Sequence, residues 1–474
     1  MKDDVLTSGS KASDEFLGPD VDEGLVQIDR REYYCVPNVE RLAPFLMSVV
    51  SDGDRWMFIS SSGALTAGRK SSEFALFPYE TDDRLHDASR KSGPVTSFRI
   101  NGLDELWLPF QLEPASSVSR RLAKSTTSDA VIFEEDHASQ PLTFSYRWSS
   151  CEEFGFVRRA RIVNRGESEF QISLVDGLVN LLPCGVDPAL DLSMRNLTNA
   201  YKRSEQVSEA FSVVVYSMES QVSDRPAPSE MLRANTVWSN CPENFNITLD
   251  ASMLRDFERG TPSNQQKIVT GRPGAYLVSA EIALPPGSSI QWDIVCDVAK
   301  SQAEVAELVD RLERGTVERG YLDKALQEAD GNVQSLMASA DAFQSTGDRV
   351  ASAYHYSNVL NNCMRGGVPL RGYIIDPADF RAFVRDRNVE VMARNVSFLE
   401  ELPDNVEHAD LLGKIQDINE PQLLRLAYEY LPFSFSRRHG DPSRPWNKFA
   451  IQVRDDDGNA TCSYEGNWRD IFQN

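Results

Sequence analysis

No stretch of this sequence approaches the ~20 consecutive apolar residues that a membrane-spanning helix requires. The opening Met1-Lys2-Asp3-Asp4-Val5 lacks the apolar core of a secretory signal, so a cytoplasmic protein is expected. Paired cysteines are missing as well. Cys35, Cys151, Cys184, Cys241, Cys296, Cys363 and Cys462 stand singly, which reads as reduced, mostly buried thiols rather than a disulfide frame or a zinc site. Without a secretory route the Asn-x-Ser/Thr triplets at Asn196, Asn246, Asn395 and Asn459 carry no message. His86, His137, His355, His408 and His439 are isolated, no H-E-x-x-H spacing occurs, and no G-x-S-x-G element is present. Neither a metal cofactor nor a hydrolase triad of that type is therefore expected.

Positive charge is also scarce. Against 71 Asp and Glu there are 49 Lys and Arg, and the net charge of −22 repels polyphosphate chains and anionic bilayers. Nucleic acid and membranes are thus not expected partners. A small anion such as phosphate would need a local cluster of Arg and backbone N–H groups to overcome that field.

What is present is a long chain with three textures. Residues 1–24 are polar and acidic and read as a mobile tail. Residues 25–300 read as many short strands divided by turns. Examples are Arg55–Ile59, Phe154–Val163, Phe170–Val175, Phe211–Tyr216, Tyr276–Leu284 and Ile290–Val298. Phe170, Ile172 and Leu174 alternate with Gln171 and Ser173, the pattern of one buried face. Helices are expected from 301 to 402. Ser301-Gln302-Ala303-Glu304 is a capping box, with Val305, Leu308 and Leu312 behind it on one face and Gly315 at the close. A second run covers Leu322 to Phe343. Asp376-Pro377 opens a third, whose apolar stripe reaches Phe398. A short helix follows from Glu420 to Tyr430, and then a hairpin turning at Asp457-Gly458. The fold class is α+β: a large antiparallel sandwich, then helices.

The densest polar chemistry lies at the end. Trp468, Arg469, Asp470 and Gln473 follow a flexible Gly466-Asn467 pair, and no capping signal closes the helix they begin. A flat aromatic beside a guanidinium fork and a carboxylate suits the C–H faces and hydroxyls of a sugar. An ordinary helix start with a local ion pair is the competing reading. A second cluster, Arg437, Arg438, His439 and Trp446, sits on a loop stiffened by Pro442 and Pro445 and suits sugar or phosphate oxygens. The expected hairpin returns the chain from this loop towards Trp468. The Gly366-Gly367 pair reads as a turn, since no Lys-Ser/Thr follows it. No acid can be singled out as catalytic among so many.

Several of these segments carry a family resemblance. Trp56-Met57-Phe58-Ile59-Ser60 with Gly63, Phe154-Gly155-Phe156-Val157-Arg158-Arg159, and Asp176-Gly177-Leu178 resemble the N-terminal part of the cellobiose and chitobiose phosphorylase family. The closing Trp468-Arg469-Asp470-Ile471-Phe472-Gln473-Asn474 is similar to that family's aromatic-Arg-Asp-x-x-Gln-Asp segment at the start of its catalytic barrel. The resemblance implies a β-super-sandwich over 25–300, linker helices over 301–402 and the start of a truncated α/α six-fold barrel over 403–474. It implies contact of Arg469, Asp470 and Gln473 with a donor sugar, and a small saccharide as substrate. Phosphate would be a co-substrate of the parent enzyme; no other cofactor is expected, and a homodimer is compatible with these expectations. Asn474 stands where the family has Asp, a departure that bears on both the sugar and phosphorolysis. The family's catalytic Asp lies downstream, so the expectation is an N-terminal fragment without catalytic residues. The alternative is a non-catalytic sandwich for carbohydrate binding or assembly.

Overall fold

The computed structural model describes residues 23–113, 118–222, 231–242, 244–261, 265–315, 319–437, 440–444, 451–455 and 458–462. The chain divides into two compact units. The first comprises residues 1–333, 347–353 and 439–449, and the second the remainder. The acidic tail expected at 1–24 lies almost wholly outside the described residues, and Gly24 already begins the first strand, Gly24–Ile28.

The first unit is built on an eleven-stranded sheet. Its central strands run Leu142–Cys151, Gly155–Asn164, Ser289–Ser301 and Arg233–Asn240, all paired antiparallel. A four-stranded sheet is formed by Asn246–Thr248, Gly274–Leu284, Phe170–Leu181 and Gly93–Ile100, and a three-stranded one by Leu46–Val50, Arg55–Ser60 and Leu65–Arg69. Alternation explains how they pack. Phe156, Ala160 and Ile162 face inward from one strand, and Trp292, Ile294 and Cys296 from its neighbour. Leu174 and Leu178 answer from the four-stranded sheet, and Met57 and Ile59 from the three-stranded one, in a single apolar core. The mixed α+β class read from the sequence is the observed one. Phe211 differs from expectation: it lies in a short 3-10 turn with φ 53°, and the strand begins later, at Val214.

Two charged residues occupy inward positions in this apolar alternation. Arg158 lies between Phe156 and Ala160, and Asp176 lies between Leu174 and Leu178; neither has measurable exposure. They meet across the core as a two-pronged pair, Nη1 to Oδ2 at 2.6 Å and Nη2 to Oδ1 at 2.9 Å. The Asp176 carboxylate also accepts from the Thr96 hydroxyl at 2.6 Å and from the Trp292 indole at 2.7 Å. The Arg158 guanidinium lies 4.6 Å from the centre of the Tyr146 ring. Next to Asp176, Gly177 is required sterically, because a Cβ there would come within 2.0 Å of the Tyr276 carbonyl oxygen.

The outer face of the large sheet is covered by helices. The capping box at Ser301 forms as expected and starts the helix Gln302–Glu313. Leu312 is buried in a cluster with Phe154, Val157, Trp238 and Val295, against which Leu308 packs half-buried. Arg159 pairs with Asp293 on the neighbouring strand at 2.7 Å and with Asp323 of the helix Arg319–Ser339 at 2.6 Å. At one end of the sheet Arg55, Arg69 and Lys300 converge on Asp297, Asp54 and Glu152.

In the second unit the single helix expected from Asp376 to Phe398 is three: Pro377–Arg387, Val389–Arg394 and Val396–Glu400. The break has a local cause. Asn388 adopts an extended backbone, φ −155°, and its side-chain oxygen accepts from Val391 N at 3.1 Å, starting a new helix instead of continuing the old one. These helices, with His408–Asp417 and Pro421–Glu429, close over Phe380, Val384, Leu399, Leu411, Ile415 and Leu426. Of the expected terminal hairpin, the described part shows a turn in which Arg454 bridges Ala460.

Removing one partner of the core ion pair should leave a lone charge in an apolar interior, so Arg158→Met is expected to cost about 3–5 kcal/mol. Adding Asp176→Asn removes that charge while keeping an acceptor for Trp292, and should restore at least half of the loss in urea denaturation. A double variant no more stable than the single would show that charge pairing is not the source.

Acid should destabilise the same unit. Burial pushes the Asp297 carboxyl up, but Arg55, Lys300 and Arg69 outweigh it and hold its pKa below the ordinary aspartate value. Asp129 behaves likewise beside Arg31 and the hydroxyls of Thr127 and Ser125. A carboxylate with a lowered folded pKa contributes stability fully above the unfolded value near 4, and loses it as pH falls through the folded value. The contribution of these two carboxylates to the urea midpoint should therefore be level from about pH 7 to 5 and fall steeply below about pH 4. Asp297→Asn should flatten that fall.

Candidate functional site

Of the residues singled out in the sequence, Trp468, Arg469, Asp470, Gln473 and Asn474 lie outside the described residues, as do Arg438, His439 and Trp446. Arg437 is described, in the second unit, and its position is built from two chain crossings. Val368–Pro369 pairs antiparallel with Phe433–Ser434, and Leu370 N donates to the Pro432 carbonyl at 2.8 Å. Gly367 makes the crossing possible. Its φ is +80°, and a Cβ there would stand 3.0 Å from both Phe433 Cβ and the Ser434 carbonyl oxygen. The Gly pair of the sequence is thus a turn and a close backbone approach, with no phosphate loop around it.

Beyond this clasp Arg437 N donates to the Met364 carbonyl at 2.9 Å, and the guanidinium stacks 4.4 Å from the centre of the Phe435 ring. Arg437 is only 4% exposed. Stacking on a ring orients the plane of the guanidinium, so its N–H donors point in set directions rather than sampling many. Such a group can read carboxylate, phosphate or paired hydroxyl oxygens. Phe435 itself has φ 63°, and Arg371 and Tyr373 on the facing segment have φ 54° and 68°. Left-handed backbone at non-glycine residues costs on the order of 1–3 kcal/mol each and gathers at binding sites.

The rest of the Arg437–Asn447 cluster does not join Arg437 in one described site. Asp441 and Arg444 belong to the first unit. There the Asp441 carboxylate accepts from Ser443 N at 2.9 Å, and Asp82 N donates to the Pro442 carbonyl at 3.1 Å. Burial, helped by the nearby Asp441 charge, pushes the Tyr79 hydroxyl pKa well up, so Tyr79 serves here as a neutral phenol. Through the Pro442 carbonyl and the Asp441 carboxylate this part of the loop is held as a turn.

Sequence reading passed over two exposed aromatics in the second unit. Tyr373 and Tyr428 are 64% and 57% exposed. His408 lies between their backbones, its N–H bonded to the Tyr373 carbonyl at 3.0 Å and its ring Nε2 2.9 Å from the Ala427 carbonyl. Residues 35 and 20 positions apart give no spacing signal, and the helix His408–Asp417 that assembles them was not expected. Among the described residues no group of His, Cys, Asp and Glu is arranged to hold a metal ion. No helix among them is long and apolar enough to cross a membrane.

None of the curated proteins matches the chain. Among solved structures, a bacterial glucoamylase complexed with acarbose is similar at 11% identity and a TM-score of 0.42, over 76% of this chain and 51% of that one. A protein described as a kojibiose phosphorylase from the human microbiome is similar at 9% identity and 0.38, over 75% and 43%. A family GH92 α-mannosidase from Bacteroides thetaiotaomicron follows at 7% identity and 0.30, over 71% and 39%. The chain therefore spans about half the length of the glucoamylase and less of the other two. At these TM-scores none of the three overlaps establishes a shared fold. Residues 371–432 match the family model described as glycoside hydrolase family 149 insertion domain 1, the stretch that the strand pair of Val368–Pro369 and Phe433–Ser434 encloses.

Proposed function

We propose that this chain is part of a carbohydrate-active protein of the glycoside hydrolase and phosphorylase kind, acting on a small saccharide. The observation that carries the reading is the match over residues 371–432 to a glycoside hydrolase family 149 insertion domain. The geometry of that segment supports it. Its ends are held side by side by the clasp, and every residue of the core cluster from Ile375 to Tyr430 comes from within it. A segment with adjacent ends and its own core is what an insertion requires. The resemblance of the closing residues to a donor-sugar element supplies the finer reading: Arg469, Asp470 and Gln473 hold sugar hydroxyls, and Trp468 shapes the subsite. On this proposal a barrel begins after the helices.

The insertion is testable in this chain. Replacing residues 371–432 with a short Gly-Ser linker should leave a remainder that melts cooperatively, and the excised segment should unfold cooperatively as a helical domain by circular dichroism. An aggregated or non-cooperative remainder would count against an insertion and remove the main support for the reading.

Activity is testable in a full-length protein carrying this chain. Losing a charged hydrogen bond to the sugar should cost about 1.5–3 kcal/mol, so Arg469→Ala should lower kcat/KM by roughly 10- to 150-fold. Turnover of disaccharides measured with and without phosphate separates phosphorolysis from hydrolysis. Unchanged kinetics would make the Trp-Arg-Asp element structural. Saccharide binding without any turnover would favour a non-catalytic module.

A further inference from the structure

A cavity of about 500 Å³ in the first unit gathers cations from four separated parts of the chain. Arg90 and Lys91 come from the turn before the strand Gly93–Ile100, and Arg195 from the start of the helix Arg195–Ala200. Arg255 comes from the helix Ser252–Arg259, and Arg272 from the turn before Gly274–Leu284. Among the described residues Asp250 is the only carboxylate that lines it. In a chain of net charge −22 this is a local inversion of sign.

The cations differ in how far they are already neutralised. Arg195 pairs with Glu80 at 3.2 Å and, more distantly, with Asp191 at 3.7 Å, and Arg90 pairs with Glu258 at 3.0 Å. Arg272 pairs loosely with Asp250, at 3.3 Å, and its side chain is 61% exposed. Asp250 is meanwhile engaged in accepting from Ser252 N at 2.9 Å. Among the described residues Lys91 contacts only the Asp87 carbonyl, at 3.4 Å, and Arg255 forms no ion pair. After Asp250, Glu258 and Glu80 are set against Arg272, Arg90 and Arg195, two cations remain uncompensated.

Two further features mark a built concavity. Arg90 is anchored by its Nη1 to the Thr96 carbonyl at 2.5 Å and by Nη2 to the Ser97 hydroxyl at 3.0 Å. Burial pulls its pKa below the ordinary arginine value despite Glu258, whereas Arg31, Arg55, Arg121 and Arg159 are raised by the carboxylates around them. Opposite, the strand Phe170–Leu181 bulges at Asn180, which takes φ 61° and joins the cavity wall. Bulges of this kind re-aim a side chain at the edge of a site.

We propose that this cavity binds a phosphoryl dianion, presented by inorganic phosphate or by a phosphorylated sugar. Guanidinium forks match phosphate oxygens two at a time, and the lysine adds a point charge. Its volume lies within the range of small-molecule sites and exceeds what a bare phosphate fills. The proposal is independent of the glycosidic reading, since it rests on the sandwich unit alone.

The test is calorimetric titration of the full chain with inorganic phosphate, glucose 1-phosphate and glucose at constant ionic strength. Saturable binding of either phosphate and none of glucose is expected. Arg255→Glu and Lys91→Glu, both at exposed positions, should each weaken it about 10- to 150-fold, with melting unchanged. Lys324→Glu, an equal change of net charge outside the cavity, should bind as the wild type does. Tighter binding of glucose 1-phosphate assigns the site to the ester, and equal binding assigns it to the free anion. Absence of saturable binding, or an equal loss in Lys324→Glu, overturns the proposal.

Discussion

A guanidinium and a carboxylate that never meet water tie the two largest sheets of the first unit together. Arg158 and Asp176 sit in rows otherwise apolar, and each compensates the other's charge. Side chains alternate between faces, so a slip of one residue in either strand would turn one of the two outward and strand its partner in hydrocarbon. The pair therefore specifies register more than it adds stability. Trp292 and Thr96 depend on it for their hydrogen bonds, and Tyr146 for the cation over its ring. Through them the constraint reaches three further strands.

That constraint was partly legible in the sequence. Phe154 to Arg159 and Asp176 to Leu178 stand out as motifs, but nothing in their spacing says that they meet. Pairing across a sandwich is a property of topology, invisible to local periodicity. The same divide runs through the helices. The capping box at Ser301 and the Asp376-Pro377 start are local chemistry, and both form where expected. The helix Arg349–Gly366 is started by Asp348, whose carboxylate accepts from Val350 N at 2.9 Å and Ala351 N at 3.2 Å, but its apolar stripe is weak and it passed unread. Asn388 shows the limit from the other side. An apolar stripe continued through it, yet its side chain competes with the backbone, and the helix restarts.

For the candidate sites the reason is distance along the chain. The Arg437 loop could be noticed because its charges are consecutive, but consecutive residues need not stay together. Arg437 and Asp441 are parts of different compact units. The cations from Arg90 to Arg272 show the reverse, since residues that appear unrelated in sequence line one cavity. Adjacency in sequence overstates a site whose loop is divided, and understates one assembled by a sheet.

The order in which the large sheet can close has a consequence for synthesis. The strand Gly155–Asn164 finds one neighbour at once, in the hairpin with Leu142–Cys151, but its other neighbour is Ser289–Ser301, where Phe156 faces Cys296. At translation rates of about 5–20 residues per second, that second edge stays open for on the order of 10 s in a growing chain. Throughout that interval a strand buried at all ten positions in the finished fold presents unpaired backbone and apolar side chains. The nascent protein thus carries a sticky, aggregation-prone edge well before its core can form.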